Sequence, residues 1–340
     1  MNGEDALVAA LIRGLGPAAS GEGVELGVGD DAAVLRPPPG RRLVATVDML
    51  VEGQHFERQG PAAASPADVG WRALAVNLSD VAAMGARPLW ALSSVGVPAG
   101  FTPADLEAVY VGLAEAAVRF GVAVVGGNLA RVAERLVLDI TILGCVEHPV
   151  TRNGGRPGDR ICVTGRLGAA AAGLAVIRAG TDARARLPET DAALLLAAQR
   201  RPEPRMREGL ALGRLAPTGV RAMCDVSDGL TRDLAHLCGA DLGAVLWRSR
   251  LPSPQAVENA AALVGADPLS WVLGGGEDYE LLCLVAPEAV DGAREAVARS
   301  GGVPLTVIGE CVAGPGLRLA QEPGGEGRPL DATGWDPFRA

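Results

Sequence analysis

The sequence predicts a two-domain chain of mixed architecture, α+β in its first half and α/β in its second. Three observations predict it. A length of 340 residues exceeds what one hydrophobic core usually organises. Apolar spacing switches between the helical and the strand period along the chain. A polar, glycine-rich stretch at residues 149–159 interrupts the pattern, and the boundary is placed there, between residues 1–149 and 150–340.

Leu7, Leu11, Ile12 and Leu15 recur at helical spacing until Gly14, Gly16 and Pro17 break it, which predicts a short opening helix. A strand at 43–47, a helix at 66–84 stopped by Gly85, a strand at 89–97, a helix at 103–120 and a short strand at 122–125 follow. Apolar residues at 136, 138, 140 and 142 alternate at the period of a half-buried strand. Beyond the break come a strand at 160–164, a helix from about 168, helices near 191–200 and 206–215, a strand at 222–225, and further alternation. That alternation includes strands at 279–285 and 305–310 and predicts a sheet covered by helices.

No apolar run is long enough to span a bilayer, and the first ten residues carry Glu4 and Asp5 instead of a basic stretch, so a soluble, untargeted, cytoplasmic protein is expected. The six cysteines show no paired spacing and read as small buried hydrophobes. A net charge of -9 argues against nucleic acid as a partner, whose phosphates attract basic surfaces. All 31 basic residues are arginine. The absence of lysine excludes the G-x-x-x-x-G-K-[ST] phosphate loop, the strand lysine of protein kinases and every lysine Schiff base.

Carboxylates cluster at turn-like positions: Gly29-Asp30-Asp31, Thr46-Val47-Asp48, Asn77-Leu78-Ser79-Asp80, Asp225-Val226-Ser227-Asp228 and Gly276-Glu277-Asp278. Carboxylates packed together repel unless a cation neutralises them, so their convergence would make a hard-metal site of the Mg²⁺ or Ca²⁺ type. Taken singly, each has an ordinary alternative. Ser227 and Asp228 would cap a helix, Asp30 and Asp31 would form a turn, and Asp80 would sit on a solvated helix face. The glycines of Gly126-Gly127-Asn128 and Gly274-Gly275-Gly276 admit either close approach to phosphate or tight turns. Of three histidines, none has a serine or cysteine partner in a recognisable nucleophile motif, which leaves a triad hydrolase without support.

In order along the chain, GVGDDAAVL, ATVDMLVEGQHF, ALAVNLSDVAAMGARPLW, VVGGN, TRNGGRPGDRICVTGRLGAAAAGL, CDVSDGLTRDL, GGGEDYELL and VIGECV resemble the thiamine-monophosphate kinase family. That family belongs with aminoimidazole ribonucleotide synthetase and selenophosphate synthetase. The resemblance implies a two-domain aminoimidazole ribonucleotide synthetase-like fold. Its amino-terminal domain would pair with a twin into a dimer β-barrel, and its carboxy-terminal α/β domain would complete a cleft. It implies several Mg²⁺ ions on Asp31, Thr46, Val47, Asp48, Asp80, Asn128, Asp225 and Asp228. Tyr110, Gly127, Asn128, Arg152 and Ser227 would contact ATP, and His55, Glu277 and Trp335 would hold thiamine monophosphate. On residue chemistry alone, Trp335 reads equally as a tail tryptophan packed for burial.

Two departures stand out. Where the family often has G-G-D-T-T, Asn128, Leu129 and Ala130 follow Gly127, so a neutral amide replaces a carboxylate. Val47 stands where a hydroxyl is common and offers only its backbone carbonyl. A phosphate acceptor is already ionised, so positioning and charge neutralisation suffice and no protein base is needed. The rival readings are another ATP-using enzyme of the same superfamily, a metal-dependent phosphatase and a non-catalytic nucleotide-binding homologue.

Overall fold

The computed structural model describes residues 3–60 and 62–335. The chain divides into two compact units, residues 1–81 with 87–147, and residues 82–86 with 148–340.

The first unit runs α1 (Gly3–Leu15), β1 (Val24–Leu26), β2 (Val34–Leu35), β3 (Arg42–Val51), α2 (Pro66–Ala83), β4 (Arg87–Pro98), α3 (Pro103–Phe120), β5 (Ala123–Val132) and β6 (Val137–Val146). Its main sheet has the order β3-β6-β4-β5. β6 pairs antiparallel with β3 and β4, whereas β4 and β5 are parallel because α3 returns the chain between them. A capping box starts α3, with the Thr102 hydroxyl accepting from the Asp105 N–H and the Asp105 carboxylate accepting from the Thr102 N–H. Gly121, left-handed at φ 71°, ends it. α2 and α3 touch backbone to backbone at Gly70 and Gly112, where an added Cβ would lie 1.9 Å from the Val109 carbonyl and 1.8 Å from that of Ala67. Leu74, Leu78, Leu106, Leu113, Ile140 and Ile142 are buried between helices and sheet.

β5 differs from the expected 122–125. It continues through Gly126-Gly127 because the parallel ladder with β4 extends to Pro98 and Val132, and main-chain pairing overrides the local turn signal.

The second unit runs β7 (Arg160–Thr164), α4 (Ala169–Ala179), α5 (Thr181–Ala185), α6 (Glu189–Arg200), α7 (Met206–Gly213), β8 (Val220–Asp225), α8 (Leu230–Cys238), β9 (Leu242–Trp247), α9 (Gln255–Val264), α10 (Pro268–Gly274), β10 (Leu281–Val285), α11 (Val290–Arg299), β11 (Leu305–Ala313), β12 (Gly316–Ala320) and β13 (Arg328–Leu330). Its seven strands lie in the order β13-β12-β9-β11-β7-β10-β8, antiparallel at every pairing except β12 with β9. The main core joins the sheet to α8 through Ile161, Leu230, Leu234, Leu246, Leu282 and Ile308. A second cluster packs α4 against α6 and α9 through Val176, Leu195 and Val257. The strand expected from 279 begins at Leu281, because Glu277 and Tyr279 sit at φ 59° and 50° and cannot join an extended ladder.

All six cysteines are buried and unpaired. Among the described residues, no helix is long and apolar enough to cross a membrane.

Candidate functional site

Period-two alternation on β3 sends Thr46 and Asp48 to one face of the sheet and Val47 to the other. The Thr46 hydroxyl donates to Asp80 Oδ2 on α2 at 2.6 Å. Asp48 stands close enough to feel this carboxylate. Its own carboxyl is pushed up to about 6, first by partial loss of hydration and then by the charges of Asp80 and Asp139. Val47 is 56% exposed, so any metal contact it makes is left to its backbone carbonyl. The donors gathered here are hard oxygens, the chemistry that suits a divalent cation of the Mg²⁺ class. Among the described residues no group of three or more aspartate, glutamate, histidine or cysteine side chains is arranged so that it could hold a metal ion.

The same unit holds a cavity of about 990 Å³. It brings together Asp31, Tyr110, Gly127 and Asn128, with Leu11 and Val124 among its apolar walls. Asp31 follows a tight turn in which its N–H donates to Asp30 Oδ1 at 2.8 Å. Tyr110 is buried, which pushes its hydroxyl pKa up. Gly127 is required by packing alone, since a Cβ would lie 2.1 Å from the Ser93 carbonyl. Asn128 pairs across the sheet with Ser94, and Ser94 with Asp139, so these three side chains share one face. Sequence reading passed over Asp139. Its signal was its odd position within the apolar alternation of β6.

His55 lies in the turn after β3. Its Nδ1 accepts from the Val51 N–H at 3.0 Å, so in the neutral ring Nε2 carries the proton. His148 and His236 are exposed.

In the second unit β8 ends at buried Asp225, and the chain turns through residues 226–229 into α8. The cap of α8 is Gly229, and neither Ser227 nor Asp228 caps it through a side chain, so the ordinary alternative for those residues does not hold. The N–H groups of Ser227, Asp228 and Gly229 donate instead to one oxygen of buried Asp233, at 3.1, 3.1 and 3.0 Å. Burial pushes the Asp233 carboxyl up to about 6 against the pull of these donors. Sequence reading missed Asp233, which looks like a helix residue four after the cap.

The carbonyl side of the turn is equally engaged. Val226 O accepts from the Tyr279 N–H at 2.9 Å, Ser227 O from the Glu277 N–H at 2.7 Å, and Asp228 O from the Trp335 N–H at 2.9 Å. Arg232 pairs with Asp228 at 3.3 Å and donates to the Trp335 carbonyl. One turn thus collects Asp225, Ser227, Asp228, Glu277 and Trp335, and Trp335 keeps half its surface exposed, which removes the reading of a tryptophan packed for burial. Arg152, exposed, follows Thr151, whose carbonyl accepts from Met223 on β8 at 3.1 Å.

Glu277 and Tyr279 are the two non-glycine residues at positive φ among those described. Each such position costs about 1–2 kcal/mol. Neighbouring Glu280 is structural, its carboxylate taken by the Thr164 hydroxyl and by two 2.7 Å bonds from Arg205.

Two family models match the chain, the N-terminal domain of the AIR synthase related proteins over residues 29–146 and their C-terminal domain over residues 156–321. The thiamine-monophosphate kinase of Escherichia coli K12 is 38% identical over 320 residues, 93% of this chain and 92% of that protein. The crystal structure of thiamine-monophosphate kinase from Stenotrophomonas maltophilia K279a aligns with a TM-score of 0.80 at 33% identity, covering 92% of this chain and 96% of that one. A solved complex of AaThiL with AMPPCP and TMP aligns with a TM-score of 0.76 at 27% identity over 99% of this chain and 97% of that one.

Proposed function

Because the chain belongs to the thiamine-monophosphate kinase family within the AIR synthase related proteins, we propose that it transfers the γ-phosphoryl group of ATP, with Mg²⁺, directly onto the phosphate of thiamine monophosphate. The products are ADP and thiamine diphosphate. One observation supports this most: a single turn joins two carboxylates, Asp225 and Asp228, to the Glu277 and Trp335 segments by main-chain hydrogen bonds.

The roles divide by unit. In the first, Thr46, Asp48, Asp80 and Asp31 would hold Mg²⁺, with the Val47 and Asn128 oxygens as weaker donors, and the cavity beside Tyr110, Gly127 and Asn128 would take the nucleotide. In the second, Asp225 and Asp228 would hold metal, Ser227 and Arg152 would meet phosphates, and Glu277 and Trp335 would hold the acceptor. Within the first unit, His55 is a thiamine monophosphate contact. Mg²⁺ when bound offsets the repulsion between two polyanions and the charge that builds on the transferred group.

The attacking oxygen of a phosphate monoester is already ionised at neutral pH, so the residues need only align it with the γ-phosphorus and exclude competing water. The exposed indole of Trp335 suits stacking on a cationic thiazolium ring. Arg152 supplies a planar guanidinium that stays charged throughout.

The first unit also serves dimerisation. Leu43, Val47 and Met49 are 57%, 56% and 50% exposed and project from one face of edge strand β3. Such a row calls for a covering surface, and a second copy in barrel-like pairing provides one.

Product analysis after incubation with ATP, Mg²⁺ and thiamine monophosphate tests the function. Equal amounts of ADP and thiamine diphosphate, both dependent on the acceptor, are expected. Inorganic phosphate from the monoester without ATP, or ADP formed only with another acceptor, would refute it.

A further inference from the structure

The segment that carries Glu277 is held in a conformation its own residues disfavour. Glu277 and Tyr279 are both left-handed, and the residue between them, Asp278, sends its side chain away from the turn. Asp278 Oδ2 accepts from the Gly168 N–H at 2.9 Å and Oδ1 from the Ala170 N–H at 3.5 Å, at the start of α4. No side chain of the adjoining residue caps that helix, so Asp278 satisfies its first donors from a distance in sequence of more than a hundred residues. Three anchors therefore fix the segment: Glu277 N–H on Ser227, Tyr279 N–H on Val226, and the Asp278 carboxylate on α4. Strain on both flanks persists only where the surroundings over-determine the backbone, and such places cluster at working sites. A helix cap alone does not require left-handed neighbours on both sides.

We propose that Asp278 is a positioning residue for acceptor recognition: its bridge to the start of α4 holds the left-handed Glu277 in the orientation that meets thiamine monophosphate. This rests on Glu277 being an acceptor contact, as in the function proposed above.

Steady-state kinetics of the full chain with ATP, Mg²⁺ and thiamine monophosphate test it through Asp278→Ala and the isosteric Asp278→Asn. The amide keeps one acceptor oxygen and turns an NH₂ group toward the second donor, so it retains part of the bridge and the fold. KM for thiamine monophosphate should rise about threefold in Asp278→Asn and about tenfold in Asp278→Ala, while KM for ATP stays within about twofold of the unsubstituted chain. An unchanged acceptor KM in Asp278→Asn overturns the inference, whether or not Asp278→Ala folds. So does a parallel rise for both substrates, which a merely structural role would give. Failure of the unsubstituted chain to form thiamine diphosphate would instead strike the proposed function.

Discussion

The Thr46 hydroxyl lies 2.6 Å from Asp80 Oδ2, tying the edge strand β3 to α2 and placing Asp48 beside a second carboxylate. Removing that crowding has opposite consequences for stability and function. Asp48→Ala, and likewise Asp225→Ala in the second unit, should lower turnover by about a hundredfold or more with the circular dichroism spectrum unchanged. For Asp48 the melting temperature should hold or rise, since a carboxyl pushed up to about 6 is destabilised where it stands. Near-normal rates at saturating Mg²⁺ would remove these residues from the metal-binding set.

Asn128 stands in a row with Ser94 and Asp139 on one face of the sheet. Asn128→Asp converts a neutral donor to a charged one and should lower the Mg²⁺ concentration that gives half-maximal rate. A titration of rate against Mg²⁺ checks this, and an unchanged requirement means the side chain touches no metal.

Burial pushes the Asp278 carboxyl up to about 7 from the usual 3.8. Between those values the folded chain keeps a proton that the unfolded chain has lost, so stability supplied by this group is present below about pH 4 and erodes as pH rises toward 7. Asp278→Asn lacks this titration. In metal-free melts across that range, the unsubstituted chain should lose melting temperature relative to Asp278→Asn as pH increases. A constant difference would show that the folded carboxyl titrates normally.

The exposed row on β3 makes a separate prediction. Met49→Glu places a charge beside Leu43 and Val47, and light scattering should report a mass of two chains for the unsubstituted protein and of one for the variant. An unchanged dimer would place the pairing surface elsewhere.

Much of this was legible in the sequence because the signals were local. α3 matches its expected span, with Pro103 opening it, a Thr102–Asp105 box capping it and Gly121 closing it. β7 likewise follows a clear apolar run bounded by turn residues. What escaped depends on partners distant in the chain. Gly126-Gly127 reads as a turn until the ladder with β4 claims it, and Tyr279 reads as a strand residue until its main chain is bonded to Val226. Asp233 was hidden because its role, gathering three N–H groups of the preceding turn, leaves no mark distinguishable from a solvated helix carboxylate. The carboxylate motifs gave the expectation of metal chemistry by residue type. Which of them meet was decided by the fold: Thr46 and Asp80 directly, Asp31 with Asn128 around a cavity, and Asp225 with Glu277 through one turn.

The claim that Asp48 and Asp225 each serve Mg²⁺-assisted transfer is tested most directly by calorimetric titration of Mg²⁺ into the chain saturated with AMPPCP and thiamine monophosphate. The account predicts a binding heat that either single substitution, Asp48→Asn or Asp225→Asn, abolishes or weakens by about tenfold or more in affinity. Mg²⁺ binding unaltered by both substitutions would contradict it.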